Sequence, residues 1–158
     1  MKTRLQSIAL VALSLMFTGC VVIINNGKPS ADEQKLIDIQ NQSSQEVATV
    51  NQKIQSGTYT VDQVKQMMGD VQKSIEENLK KIDDLHLPER AKELADKTKQ
   101  YLQDAQHTYD SLMQMAAPSA NDLMNNVKTM SQPLLNMAEQ MSQAQMQFVQ
   151  NLQKAAQS

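Results

Sequence analysis

Residues that usually build reactive sites are scarce in this sequence. Among its 158 residues there are one cysteine, two histidines and no tryptophan. A single cysteine excludes an internal disulfide, so the hydrophobic core alone must hold the fold. His86 and His107 stand apart from other metal-ligating residues, and neither a glycine-rich phosphate loop nor a catalytic-triad spacing is recognisable. We therefore expect neither an enzyme nor a bound cofactor.

Aromatic residues and excess positive charge are equally scarce. After Phe17 the aromatic side chains are Tyr59, Tyr101, Tyr109 and Phe148, which are too few to stack bases or sugars. The chain carries 15 basic and 17 acidic residues. The basic residues are not grouped into a block that would hold phosphates. Nucleic acid is therefore not an expected partner.

Helix-breaking residues are few as well. Glycine and proline occur four times each, and β-branched residues are sparse after Ile24. The abundant residues are helix formers such as Ala, Leu, Met, Gln, Glu and Lys. Short connections between helices favour antiparallel neighbours. The sequence thus predicts an all-α fold, an up-down antiparallel bundle of about four helices that forms one domain over residues 30–158.

Capping motifs mark the helix boundaries. The segments Ser30-Ala31-Asp32-Glu33 and Thr60-Val61-Asp62-Gln63 are capping boxes, which predict the starts of the first and second helices. Gly57 is expected to end the first helix. Pro88 separates the second helix from the third, and Ser119 opens the last helical stretch.

Each predicted helix has a buried face, because apolar residues recur in steps of three and four. In the first helix this face is Leu36, Gln40, Ser43, Val47, Val50 and Ile54. In the second it is Val61, Val64, Met68, Val71, Ile75, Leu79, Ile82 and Leu85. In the third it is Ala91, Leu94, Thr98, Tyr101, Leu102, Ala105, Tyr109 and Leu112. In the last stretch it is Leu123, Val127, Met130, Leu134, Met137, Met141, Ala144, Phe148 and Leu152.

Two further features concern the helices themselves. On the outer face of the second helix the spacing predicts the ion pairs Glu76–Lys80 and Glu77–Lys81. Pro133 lies inside the last helical stretch and predicts a kink or break there, because proline removes a main-chain donor and clashes with the preceding turn. We expect residues 133–156 to complete the bundle and residues 119–131 to form a short extra helix or a bent extension.

The first twenty residues have the layout of an export signal. Lys2 and Arg4 precede an apolar run that ends at Phe17 and is shorter than the roughly 20 residues of a membrane span. The run closes with Phe17-Thr18-Gly19-Cys20, which resembles the lipobox of bacterial lipoproteins, with phenylalanine where leucine is usual. The resemblance implies cleavage before Cys20, lipidation of its thiol and new amino group, and attachment of the chain to a membrane.

This resemblance divides the chain into a signal peptide (residues 1–19), a lipidated tether (residues 20–29) and the folded domain (residues 30–158). Ten extended residues reach about 33 Å, which keeps the domain close to the membrane. Because Val21 rather than aspartate follows the cysteine, the resemblance implies the periplasmic face of the outer membrane where the host has one. A Gram-positive host would hold the protein on the outer face of its single membrane.

Methionine is unusually frequent, with 11 residues in the chain. Thioethers are soft ligands that suit Cu(I), and Met137 and Met141 lie four residues apart on one helix face. Methionine also fills bundle cores and adaptable binding surfaces. Met137 and Met141 are therefore Cu(I) candidates, and packing of both in the core is the alternative.

The last helical stretch is poor in charge. From residue 119 onward the charged side chains are Asp122, Lys128, Glu139 and Lys154, and most other polar positions are glutamine or asparagine. Protein interfaces are depleted in charge and enriched in methionine, although a solvated glutamine-rich face has the same composition. If this stretch is an interface, the expected contact residues are Met124, Met146 and Gln150.

Together these features predict a membrane-anchored envelope lipoprotein that contacts another protein and performs no catalysis. The expected partner is another protein of the envelope. Two alternatives stay open: binding of Cu(I) by methionine, and peripheral lipid binding in which the amphipathic helices lie on a bilayer. A homo-oligomer formed through the last helix is also compatible with the sequence.

Overall fold

The computed structural model describes residues 28–115 and 119–157. Over these residues the chain contains no strand, and its helices are α1 (Ala31–Ser56), α2 (Val61–Asp83), α3 (Glu89–Gln114), α4 (Ala120–Met130) and α5 (Gln132–Ala155). The predicted all-α bundle is confirmed, and α4 and α5 together form its fourth arm. The predicted signal peptide, Cys20 and most of the predicted tether lie outside the described residues.

Hydrogen bonds between α1 and α2 show that the two helices are antiparallel. The amide of Asn78 donates to Ser43 Oγ at 3.0 Å, and one turn further along α1 the hydroxyl of Ser74 donates to Glu46. The residue number rises along α1 while it falls along α2, as in adjacent helices of an up-down bundle.

The contacts between α2 and α3 follow the same rule. Gln72 donates to Asp110 at 2.6 Å, and Gln106 donates to Glu76 at 3.3 Å. Helices α1 and α3 therefore run parallel. We call the end of the bundle that holds the start of α1 and the α2–α3 loop the entry end, because the chain enters the fold there.

Both predicted capping boxes are present. At the start of α1 the Ser30 hydroxyl accepts from the Glu33 amide at 3.2 Å, and the Glu33 carboxylate accepts from the Ser30 amide at 2.7 Å. At the start of α2 the Thr60 hydroxyl accepts from the Gln63 main-chain amide at 3.3 Å, and Gln63 Oε1 accepts from the Thr60 main-chain amide at 2.9 Å. These caps fix the first turns of both helices at the predicted residues.

Gly57 ends α1, as predicted, but its backbone does not adopt the left-handed conformation common at helix C-termini. Its φ of −101° and ψ of 170° are extended. The reason for glycine is space, because a Cβ at this position would lie 2.0 Å from the ring of Tyr59. The ring therefore packs directly on the main chain where the α1–α2 loop begins.

Replacing Gly57 by alanine should displace the Tyr59 ring and lower the free energy of unfolding by about 1 kcal/mol. Thermal denaturation of the variant checks this value. Gly69 offers a matched control, because a Cβ there meets nothing within 4 Å and alanine favours a helix interior. Equal destabilisation by Gly57→Ala and Gly69→Ala would contradict this role for Gly57.

The fourth arm bends by 35° at Ser131. Helix α4 ends one residue before Ser131 and α5 begins one residue after it, with Pro133 in the first turn of α5. Proline is tolerated there because a first-turn amide has no partner in its own helix. The predicted kink is thus confirmed, and it falls two residues before the proline that causes it.

The core consists mainly of residues from the predicted helix faces, together with several buried polar residues. All eight predicted residues of α3 are buried. Several predicted core residues are half-buried at its edge instead, namely Val50, Val61, Leu79, Leu85, Met130 and Met137. The buried polar residues that periodicity did not reveal are Glu33, Ser44, Asn51, Gln72, Asn78 and Ser131.

The predicted ion pairs Glu76–Lys80 and Glu77–Lys81 are not formed among the described residues. Lys81 instead donates to Asn78 at 3.2 Å, and Glu76 accepts from Gln106 of α3. The prediction was wrong because an exposed pair of this spacing contributes only about 0.2–0.5 kcal/mol, so nearby hydrogen-bonding partners compete with it.

Candidate partner-binding surface

Helix α5 has an inner face that belongs to the core. Its buried residues are Leu134, Ala138, Met141, Ala144, Phe148 and Leu152. This face packs mainly along α3, and a hydrogen bond of 3.1 Å from the Gln40 amide to the Met141 carbonyl joins it to α1. The orientation of α5 is therefore set from two sides, which determines the residues that it turns to solvent.

The opposite face of α5 is exposed and carries little charge. We call it the α5 outer face and define it by Glu139, Gln143, Met146, Gln147, Gln150 and Lys154, all of which are exposed. At 3.6 residues per turn these six positions fall within about 100° of arc. Met146 is 55% exposed, more than any other large hydrophobic side chain in residues 28–115 and 119–157.

The structure brings together two of the three predicted contact residues. Met146 and Gln150 lie one turn apart on the α5 outer face. Met124 lies in α4 and lines a small cavity of about 200 Å³ with Gly57 and Tyr59 of the α1–α2 loop. Because Met124 faces this loop and the bend at Ser131 separates α4 from α5, Met124 does not belong to the same surface.

The two Cu(I) candidates lie on the inner side of α5. Met141 is 1% exposed, and Met137 is half-buried against the core. Both side chains therefore contribute to packing, as the alternative interpretation predicted. Within the described ranges, histidine, cysteine and carboxylate side chains form no group of three that could hold a metal ion.

The charges of the α5 outer face have no partner within the described chain. Glu139 and Lys154 take part in no side-chain hydrogen bond or ion pair there. By contrast, each of the four ion pairs in these residues joins side chains of α1, α2 or α3: Lys35–Asp32, Arg90–Glu33, Lys92–Glu89 and Lys99–Asp83. The α5 outer face thus offers two free charges of opposite sign among neutral amides.

A buried ion pair holds the entry end together. The Glu33 side chain is completely buried, and the Arg90 guanidinium, which is 47% exposed, donates to its two oxygens at 2.7 and 2.9 Å. These bonds, more than the bond from Ser30, hold the pKa of Glu33 below its ordinary value. The pair connects the first turn of α1 to the first turn of α3.

A second carboxylate reinforces the same end from the surface. Asp32 pairs with Lys35 at 2.9 Å and accepts from the main-chain amide of His86 at 3.1 Å. Both bonds, that of Lys35 foremost, lower the pKa of Asp32. Asp32 thus ties the first turn of α1 to the α2–α3 loop, next to the point where the predicted tether would join the fold.

Two buried side chains of α1 are incompletely hydrogen-bonded. Gln40 Oε1 and Asn51 Nδ2 have no partner, although Gln40 donates to Met141 and Asn51 accepts from the Tyr109 hydroxyl at 3.1 Å. A buried polar atom without a partner costs about 1–3 kcal/mol. The face predicted for the first helix contains two polar residues, Gln40 and Ser43, and both are buried.

Replacing Gln40 by methionine should therefore raise the free energy of unfolding by about 1 kcal/mol. Methionine keeps the shape of the side chain and removes the unpaired oxygen. Chemical denaturation measures the change, and the exposed Gln42→Met serves as a control on the same helix. A loss of stability in Gln40→Met would show that the hydrogen bond from the Gln40 amide to Met141 stabilises the fold by more than the unpaired Gln40 Oε1 destabilises it.

An open groove of about 590 Å³ runs between α1 and α2. Val50, Met67 and Val71 supply its apolar wall, and Glu46, Lys53 and Asp70 line its polar part. The sequence assigned Val50 to the core, and its half-burial is explained by this groove. Charges of both signs occur in the lining, so the groove has no clear preference for an anion or a cation.

Comparison of the chain with protein-family models, with curated proteins and with solved structures gave no match. Among the helices described, none combines the length and the apolar composition that crossing a membrane requires.

Proposed function

We propose that the chain is a membrane-anchored interaction module whose α5 outer face binds a protein partner in the cell envelope. The observation that supports this proposal is the composition of that face. It combines the most exposed large hydrophobic side chain of the described residues, Met146, with neutral amides and two unpaired charges. Interface centres are depleted in charge and enriched in methionine, whereas the outer faces of α2 and α3 are rich in charge.

The contacts at the entry end support the anchoring part of the proposal. If Cys20 carries a lipid, the tether transmits any pull on the domain to the first turn of α1. The ion pair of Glu33 with Arg90 and the contact of Asp32 with the α2–α3 loop lie at this point. Such contacts would keep α1 in the bundle while the partner is bound at α5.

The anchor is tested by fractionation of cells that express Cys20→Ser. We expect the native chain to sediment with membranes and the variant to remain as an unprocessed precursor or to leave the membrane fraction. Normal processing of Cys20→Ser, with full recovery in membranes, would remove the lipid anchor from the account.

The binding surface is tested by photocrosslinking in cells from probes placed at Met146 and Gln150. We expect each probe to yield a discrete crosslinked protein, because both side chains point away from the core on one face. Matched probes at the exposed Gln66 of α2 and Gln100 of α3 should not yield that product. Equal products from all four positions, or no product from α5, would refute the surface.

A further inference from the structure

We propose that the partner of the α5 outer face is a second copy of this chain, bound with the two α5 helices antiparallel. This inference rests on the proposed function and specifies its partner. Three observations carry it: the symmetry of the charges on the face, the neutral amides between them, and the exposure of Met146 at the centre.

The charges have the symmetry that an antiparallel pair requires. Glu139 and Lys154 are the charged residues of α5, and they lie equally far from the midpoint between Met146 and Gln147. When two α5 helices cross antiparallel at this midpoint, Glu139 of each copy lies opposite the partner's Lys154. Both unpaired charges of each copy are then neutralised, and two ion pairs form across the interface.

The amides between the charges also match in this alignment. Gln143 of one copy lies opposite the partner's Gln150. Midway along the contact the two Met146 side chains meet at one edge of the face, and the two Gln147 side chains meet at the other. Glutamine side chains both donate and accept, so they pair with each other without an added charge. The two Met146 side chains shield the middle of the contact from water on that side.

Other arrangements of two copies lack this complementarity. A parallel pair of α5 helices would set Glu139 against the partner's Glu139 and Lys154 against the partner's Lys154, which is repulsive. Pairing through α2 would instead bring together a face of many charges, including Glu76, Glu77 and Lys80. The antiparallel contact through α5 is therefore the arrangement that the charges favour.

The length of the helix limits the strength of the dimer. Helix α5 has 24 residues and spans about 36 Å, so one helix pair buries less than the roughly 800 Å² per partner of a standard interface. We therefore expect a weak dimer in solution. Attachment to a membrane would raise the local concentration of the chain and favour the dimer. Tethers of about 33 Å would let both copies reach one membrane.

The decisive test uses charge reversal in the full-length chain, studied by sedimentation equilibrium in detergent. The native chain should show a reversible monomer–dimer equilibrium. Glu139→Lys makes both charges of the face positive, and Lys154→Glu makes both negative, so either variant alone should dimerise at least about tenfold more weakly. An equimolar mixture of the two variants should regain dimers, because opposite charges then meet at both sites.

The control is Glu77→Lys, which reverses an exposed charge on α2 and should leave the native dimer unchanged. Helical circular dichroism confirms that each variant folds. Native chain that stays monomeric up to about 1 mM, or a mixture that does not recover dimers, would overturn the inference. If the probes at Met146 and Gln150 then capture a different protein, the proposed function stands and the self-pairing fails; if they capture nothing, both fail.

Discussion

Replacing Arg90 by methionine is expected to lower the free energy of unfolding by about 2 kcal/mol at neutral pH. The variant leaves the carboxylate of Glu33 ionised in a completely buried position, without the guanidinium that donates to both of its oxygens. Loss of one member of a buried ion pair costs about 3–5 kcal/mol. We expect a smaller value because Arg90 is about half exposed, so water can replace part of the interaction.

The pH dependence of this effect has a definite sign. In the native fold the pKa of Glu33 lies below its ordinary value of 4.5, so the ion pair contributes stability above that pH. This contribution is lost as the pH falls through the lowered pKa of the folded state. The difference in stability between the native chain and Arg90→Met should therefore shrink as the pH falls below 4.5 and through the lowered pKa of the folded state.

Urea denaturation of both chains at neutral pH and at acidic pH measures this difference. Lys92→Met is a matched control in the same turn of α3, because Lys92 pairs with Glu89 on the open surface. Its midpoint should stay close to that of the native chain at either pH. A difference for Arg90→Met that is independent of pH would show that lost packing, and not the charge of Glu33, determines its stability.

Replacing Phe148 by alanine is expected to cost about 3 kcal/mol of stability. Phe148 is 4% exposed and lies on the inner face of α5, so its removal leaves a cavity that the surrounding helices fill only in part. Two residues earlier, Met146 is 55% exposed. Met146→Ala should therefore change the free energy of unfolding by less than about 0.5 kcal/mol.

The two variants separate the roles of the two faces of α5. We expect Phe148→Ala to reduce stability, and Met146→Ala to reduce crosslinking from Gln150 while the fold remains intact. Denaturation and crosslinking of both chains provide the comparison. A large loss of stability in Met146→Ala would place its side chain in the core and would contradict an outer face that is free to bind.

Much of the fold could be predicted because local signals agreed with each other. The capping boxes at Ser30 and Thr60 fix where α1 and α2 begin. All eight α3 residues that the apolar period assigned to the core are buried. Pro133 indicated the bend, although the break falls at Ser131 because proline fits best in the first turn of a new helix.

The contacts that periodicity could not show are those between residues distant in sequence. Glu33 was recognised as a capping residue, but its burial depends on Arg90, which is 57 residues away. The same holds for Asn78, whose partner Ser43 lies 35 residues earlier. Sequence patterns predict that a polar residue is exposed unless its hydrogen-bonding partner is known. Partners on other helices become identifiable only when the packing of the helices is known.

The candidate surface was predicted in part for the same reason. Helical spacing relates Met146 to Gln150, because both lie in α5 and are one turn apart. It cannot relate them to Met124, since the bend at Ser131 separates α4 from α5 and changes the direction of the chain. Met124 therefore faces the α1–α2 loop, and no local signal in the sequence predicts this contact.

The account depends most directly on the α5 outer face as the place where this chain contacts protein. The measurement that tests it is the yield of crosslinked product from a probe at Gln150 in cells, with and without Gln143→Arg on the same face. We predict a several-fold loss of product in Gln143→Arg, with unchanged thermal stability, because an arginine is introduced two turns away within the contact. An undiminished yield in Gln143→Arg would contradict the account.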